Sequence, residues 1–190
     1  MKPVLITLKI FLFMTVLTGI VYPLFITGIA QVLFPGKANG SIILKENKAV
    51  GSTLIGQTFD SPVYFSSRPS AVLYNPLPSG GSNYGLTSKK LKELVTARKV
   101  EFLSHNHLAL STEVPSEMVF ASASGLDPHI SPGAAFIQVD RVANARKFNA
   151  AQTEKLRQAI ADLTEKPQFL FLGEERINVL LLNLEADRIR

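Results

Sequence analysis

The chain has no cysteine, which excludes a disulfide framework and any thiolate-ligated metal site. A strong charge imbalance is also missing. Lys2 and Lys9 precede the first long apolar run, and without them the 20 basic residues fall to 18 against 15 acidic ones. So mild and dispersed a surplus is no nucleic-acid footprint. Phosphate-binding and catalytic signatures are lacking too. Gly36-Lys37 has no glycine at P-loop spacing before it, and Ala38 stands where Ser or Thr would hold magnesium. No G-x-G-x-x-G, G-x-S-x-G or H-E-x-x-H occurs, so the common routes to dinucleotide binding, serine hydrolysis and zinc proteolysis carry no support. No internal repeat or low-complexity tract stands out.

What is present is a run from Ile10 to Phe34, 25 residues without a charge, bounded by Lys9 and Lys37. At roughly 1.5 Å per helical residue it crosses a hydrocarbon core of about 30 Å with length to spare. It reads as a single transmembrane helix. Gly28-Ile29-Ala30 has the small-x-small form of a cleavage site, but the run exceeds the roughly 7–15 residues of a signal core, which favours a retained anchor. Pro23 lacks a backbone donor near the middle and predicts a kink. Thr15, Thr18, Gly19 and Tyr22 fall at i, i+3, i+4 and i+7, one helical face suited to packing on partner helices. Such residues are also simply common in spans. The amine, Lys2 and Lys9 on one side nearly balance Lys37, Lys45 and Lys48 with Glu46 on the other, so the positive-inside rule leaves orientation open. One span cannot by itself form an alternating-access pathway.

Roughly 155 residues follow the span, enough for one domain with a core of its own and too few for two. The expected organisation is a tail at 1–9, the span at 10–34, a linker at 35–40 (PGKANG) and one soluble mixed α/β (α+β) domain at 41–190. Residues 41–57 read as short strands, and Pro62 and Pro69 turn 58–74 into edges and bends. Thr87 is expected to cap a helix running to about Leu103, with a basic outer face from Lys89, Lys90, Lys92, Arg98 and Lys99. Met118–Ser124 reads as a strand. Ser131-Pro132 is a cap followed by proline at the first helical position, for a helix to about Lys147. Asn149 with Gln152 forms a capping box for a helix to about Lys166, and Ile177–Leu184 reads as a closing buried strand with Asn178 and Asn183 at its ends.

Candidate chemistry is sparse. His105-Asn106-His107 offers two imidazoles but no identifiable third ligand, so no metal site is assigned. Asp127 in Leu-Asp-Pro-His has the form of a turn residue accepting backbone hydrogen bonds. Arg68 before Pro69 is suited to pair with an acid of the fold or to contact a partner, with pairing the favoured reading.

Six blocks then carry a resemblance: Gly51-Ser52-x-Leu54-Ile55-Gly56-Gln57-x-Phe59; Tyr64-Phe65-x-x-Arg68-Pro69-Ser70; Ser79-Gly80-Gly81-Ser82-Asn83; Ser122 through Pro132; Arg141-Val142-Ala143; and Leu172-Gly173-Glu174 with Asn178-Val179-Leu180. Their order and content, with Tyr22-Pro23 in the span, resemble the C subunit of the Kdp potassium-transporting ATPase. The resemblance implies a non-catalytic accessory subunit in the bacterial inner membrane, with a cytoplasmic N-terminus and an extracytoplasmic domain. It implies as partners a channel-like potassium-binding subunit, a P-type ATPase subunit and a small single-span subunit. It further implies a role in assembly or stability, and in raising the ATP affinity of the hydrolysing subunit through a ternary complex, with no cofactor held by this chain alone. Under it, Ser79, Gly80, Gly81, Ser82 and Asn83 are the nucleotide-loop candidates, because they resemble part of an ABC-transporter signature. That loop holds no Lys or Arg, and Gly-Ser loops are most often turns. Asp127 and Glu174 are candidates for lending negative potential to a potassium entrance. The competing reading is a free-standing anchored binding or hydrolytic domain using serines, His105, His107 and Asp127.

Overall fold

The apolar run forms one helix of 32 residues, Lys2–Leu33, with a mean hydropathy of 2.4 over its most apolar window and none of that window buried. The computed structural model describes residues 2–189. The helix starts earlier than the uncharged run because Pro3 sits in its first turn, where a missing N–H costs nothing. It consists of α1 (Lys2–Val16), a π turn (Leu17–Val21) and α2 (Tyr22–Leu33). The π turn is the response to Pro23. The proline ring crowds the carbonyl one turn earlier and offers it no donor, and a wider turn gives that carbonyl room. The Tyr22 N–H accordingly reaches back five residues, to the Leu17 carbonyl.

The chain divides after Ser52. Beyond the helix, the first unit holds a short turn α3 (Pro35–Ala38) and an antiparallel hairpin of β1 (Ile42–Lys45) and β2 (Lys48–Ser52). Ile42 faces Ser52 and Lys45 faces Lys48, with a bulge between Ile43 and Leu44. Glu46 and Asn47 both have positive φ (51° and 62°), the twist a two-residue hairpin turn needs, supplied by polar residues.

The second unit, from Thr53, is built on α5 (Pro132–Arg146). Ser131 caps it, accepting from the Ala134 N–H, with Pro132 in the first turn as the sequence predicts. Ala134, Ala135, Gln138, Val139, Arg141, Val142 and Ala143 are buried along it. The capping box at Asn149 and Gln152 opens α6 (Ala150–Asp162), which packs back on α5 through Leu156, Ala159 and Ile160. Phe65, Phe102, Met118, Ile130 and Leu182 complete the core.

Four expectations are corrected. The basic helix α4 (Lys89–His105) is capped by Ser88, not Thr87, and runs two residues past Leu103. Met118–Ser124 is no strand: a 3₁₀ turn (Ser116–Met118) leads into irregular chain. The helix α6 ends at Asp162 rather than near Lys166, because Glu165 leaves it to pair with Arg176. The closing segment pairs as a strand only over β4 (Ile177–Asn178), against β3 (His129–Ile130), and then becomes the helix α7 (Val179–Ala186). Asn178 caps that helix, and Val179, Leu182, Asn183 and Ala186 are buried at helical spacing. Leucine tolerates a helix better than the β-branched residues of a committed strand, and a short apolar run alone does not choose between them.

Candidate functional site

Three loops meet at Arg68. Its Nη1 donates to Asp127 Oδ2 at 2.7 Å, joining segments 59 residues apart. Asp127 is the turn residue the sequence predicts, with Oδ1 accepting from the His129 N–H at 3.0 Å and lying 3.4 Å from His129 Nδ1. Burial raises the Asp127 pKa, but the hydrogen bonds from His129 and the charge and hydrogen bond of Arg68 outweigh it and hold the carboxyl below its ordinary range. The Tyr74 hydroxyl donates to the Arg68 carbonyl, while Ser70 Oγ donates to the Gly125 carbonyl at 2.7 Å. Arg68 Nε is buried and has no hydrogen-bond partner among the described residues.

Two glycines permit this convergence. A Cβ at Gly56 would lie 2.6 Å from the Asp127 carbonyl oxygen. Gly125 has φ +70°, and a Cβ there would lie 2.5 Å from Val72 Cγ2 and 2.8 Å from the Gly80 carbonyl oxygen. The loop of Ser79, Gly80, Gly81, Ser82 and Asn83 therefore rests on the Ser122–Gly125 backbone. The Gly80 N–H donates to the Ser124 carbonyl at 2.9 Å, which commits that donor to holding the loop rather than to an anion. Ser79, Ser82 and Asn83 are exposed.

Cavities flank Arg68. One, of about 550 Å³, is lined by Phe59, Arg68, Tyr74, Arg98 and His105 among others. The other, of about 590 Å³, brings together Asp127 and Glu174, the two proposed cation-entrance residues, with Glu117, His129, Arg68 and Arg176. Two arginines thus share the space with the carboxylates, and Asp127 is paired by one of them. His105 is the last residue of α4, and burial, then the charge of Arg141, lowers its pKa. His107 is exposed with φ 56°. Among the described residues no three His, Asp, Glu or Cys side chains converge as a metal-binding group.

In the apolar helix, Thr15 Oγ1 donates to the Phe11 carbonyl at 2.8 Å and Thr18 Oγ1 to the Met14 carbonyl at 2.7 Å. Their hydroxyls are satisfied within the helix. Thr18 and Gly19 lie at or beside the π turn, which shifts Tyr22 around the axis from the place a regular helix would give it.

A buried cation not foreseen from the sequence is Arg141, which is 2% exposed. Its Nη1 donates to the carbonyls of Pro62 (2.7 Å) and Tyr64 (2.8 Å), its Nη2 to Gln138 and its Nε to Asn106. Burial lowers its pKa to about 10, which leaves it charged at neutral pH. Arg146 donates to the Val63 carbonyl at 2.7 Å and to Asp187 at 3.0 Å, with its guanidinium 5.1 Å from the centre of the Tyr64 ring. The signal available was the placement of Gln138 and Arg141 on the apolar side of α5, where nothing but a buried network accommodates them. Arg141 falls in one of the blocks that carry the family resemblance.

The full length of the chain decides its kinship. It matches the family model described as KdpC, K+-transporting ATPase, c chain, over residues 4–188. The chain belongs to the KdpC family. It is 47% identical over 186 residues to the potassium-transporting ATPase KdpC subunit of Polaromonas naphthalenivorans, covering 96% of this chain and 93% of that one. It is 49% identical over 181 residues to the subunit of that name from Burkholderia ambifaria, with 94% and 92% covered. The KdpC subunit of Methylococcus capsulatus is 45% identical over 192 residues, with 100% and 97% covered. As a KdpC chain the protein is a subunit of a K+-transporting ATPase, a membrane-associated, multi-subunit assembly. The match takes in the apolar helix as well as the domain that follows it.

Proposed function

We propose that this KdpC chain is a non-catalytic accessory subunit of an ATP-driven potassium uptake pump, needed for assembly or stability of the complex. Its helix spans the bacterial inner membrane once, with residues 1–9 cytoplasmic and the domain on the outer side. Its neighbours are a channel-like potassium-binding subunit, the P-type subunit that hydrolyses ATP and a small single-span subunit. The observation that carries the reading is the family match across nearly the whole chain, including the uncharged helix. The non-catalytic role draws support from how the polar residues are spent: Arg68, Asp127, Arg141, Arg146 and Asn183 all hold backbone or one another. In lipid, helix association depends on close packing, which suits Thr15, Thr18 and Gly19 to a partner helix, with Tyr22 beside them as the π turn sets it.

A rise in the ATP affinity of the hydrolysing subunit is the finer part of the proposal, with Ser79–Asn83 as the segment that would meet nucleotide in a ternary complex. The test is a mild-detergent pull-down of the tagged chain from its own potassium-starved membranes, followed by an ATPase assay. A P-type subunit and a large multi-span subunit should co-elute with potassium-stimulated hydrolysis. Elution alone, where those subunits are expressed, would make the free-standing anchored domain the better reading.

A further inference from the structure

Between Glu165 and Arg176 the chain makes a second hairpin, whose tip is entirely apolar. Glu165 and Arg176 pair through both backbone hydrogen bonds (2.8 and 3.1 Å) and through their side chains at 3.0 Å. Gln168 and Leu172 pair above them, each N–H 2.9 Å from the other's carbonyl. The loop they close is Phe169-Leu170-Phe171, exposed to 79%, 84% and 75%, with Leu172 at 51%. Its conformation is as unusual as its composition. Phe169 and Leu170 have φ of 53° and 72°, a region that bulky side chains avoid. The β1–β2 turn fills its left-handed positions with Glu and Asn, and where Leu73 and Tyr74 take such a φ the Tyr74 hydroxyl is tied to the Arg68 carbonyl, whereas Phe169 and Leu170 stand exposed. Nothing in the domain core gains from three large apolar side chains on a strained tip, and such outliers point toward function.

We infer that this tip is a docking knob that inserts into an apolar pocket with a basic rim on another subunit of the same ATPase complex. The inference rests on the subunit reading above. The charges around the tip choose the occupant. Glu174 and Glu175 follow it directly, both exposed and without an ion-pair partner among the described residues, whereas Arg176 is taken by Glu165. With Lys166 the hairpin carries three acids and two bases between Glu165 and Arg176. An anionic bilayer surface repels such a tip, which also has no basic cluster and no Trp or Tyr to anchor it at the lipid interface. A protein pocket edged by Lys or Arg fits both parts: aromatic and aliphatic anchors at the centre, and a charged rim that sets orientation.

The test uses the full-length chain co-expressed with the other subunits. Phe171→p-benzoylphenylalanine, irradiated in native membranes, should give an adduct with another subunit of the ATPase, identified by mass spectrometry. Leu170→Asp should lower recovery of those subunits on the tagged chain by about tenfold or more, with the chain's own membrane level unchanged because its side chain contributes nothing to the core. Leu110→Asp, at a site 77% exposed outside the hairpin, should leave recovery as in the wild type. Adducts confined to lipid or to a second copy of this chain overturn the inference. So does unaltered recovery with Leu170→Asp, or an equal loss with Leu110→Asp. If the wild-type chain recovers no ATPase subunit, the subunit reading fails first and this inference falls with it.

Discussion

The Asn183 carboxamide completes the backbone of Phe65, accepting from its N–H at 2.7 Å and donating to its carbonyl at 3.0 Å. The two residues lie 118 positions apart. A side chain on α7 thereby does for an irregular segment what a neighbouring strand does in a sheet, and it fixes the Phe65 ring in the core. Asn183→Leu leaves two buried backbone groups unsatisfied, each costing about 1–3 kcal/mol. Urea unfolding of the detergent-solubilised chain should show a loss of about 2–5 kcal/mol. A loss below about 1 kcal/mol would mean water replaces the carboxamide.

Arg141 makes a companion prediction. Arg141→Met fills much of the volume but strands the Pro62 and Tyr64 carbonyls and the Asn106 Oδ1. Each stranded acceptor costs about 1–3 kcal/mol. Thermal unfolding should therefore fall by many degrees, and an unchanged midpoint would sink the account.

Acid should act through Asp127. Its folded pKa is depressed, so the folded state binds fewer protons than the unfolded one as the carboxyl titrates. The stabilisation is fully present above the ordinary carboxylate range and is lost as pH falls through the lower folded value. Asp127→Asn should flatten the acid limb of a stability–pH curve, at a cost near neutrality of about 1–2 kcal/mol, discounted for partial exposure. Asp140→Asn is the control, since its partner Arg157 is 40% exposed and Asp140 itself 79%. A limb of the same steepness in Asp127→Asn would assign acid unfolding elsewhere.

Gly125→Ala combines a strained φ with contacts of 2.5 and 2.8 Å to Val72 and Gly80. It should destabilise the domain by about 2 kcal/mol or more and loosen the Ser79–Asn83 loop, seen as faster proteolysis there. Gly80→Ala meets nothing within 4 Å and should be neutral in stability. Equal effects of the two would contradict the packing described.

Topology can be read directly because the chain has no cysteine of its own. Leu110→Cys should react with a membrane-impermeant maleimide on intact spheroplasts. Labelling only after the membrane is broken would put the domain inside.

The sequence by itself determined what depends on neighbours in the chain. An uncharged run of 25 residues marked the long helix, since a helix satisfies every backbone group within its own segment. Ser131-Pro132 and Asn149 with Gln152 set two helix starts, because a cap is a contact over three residues. Asp127 was legible as a turn for the same reason. Tertiary structure decided the rest. Ile177–Leu184 reads as a strand in isolation and becomes mostly helix, because its burial against α6 rewards helical spacing and only two residues find a strand partner in His129 and Ile130. Arg68 meets Asp127, Asn183 meets Phe65 and Arg141 meets Tyr64 across 59 to 118 residues. No periodicity encodes such pairs, because each exists only once folding has desolvated both partners and left them no alternative but each other.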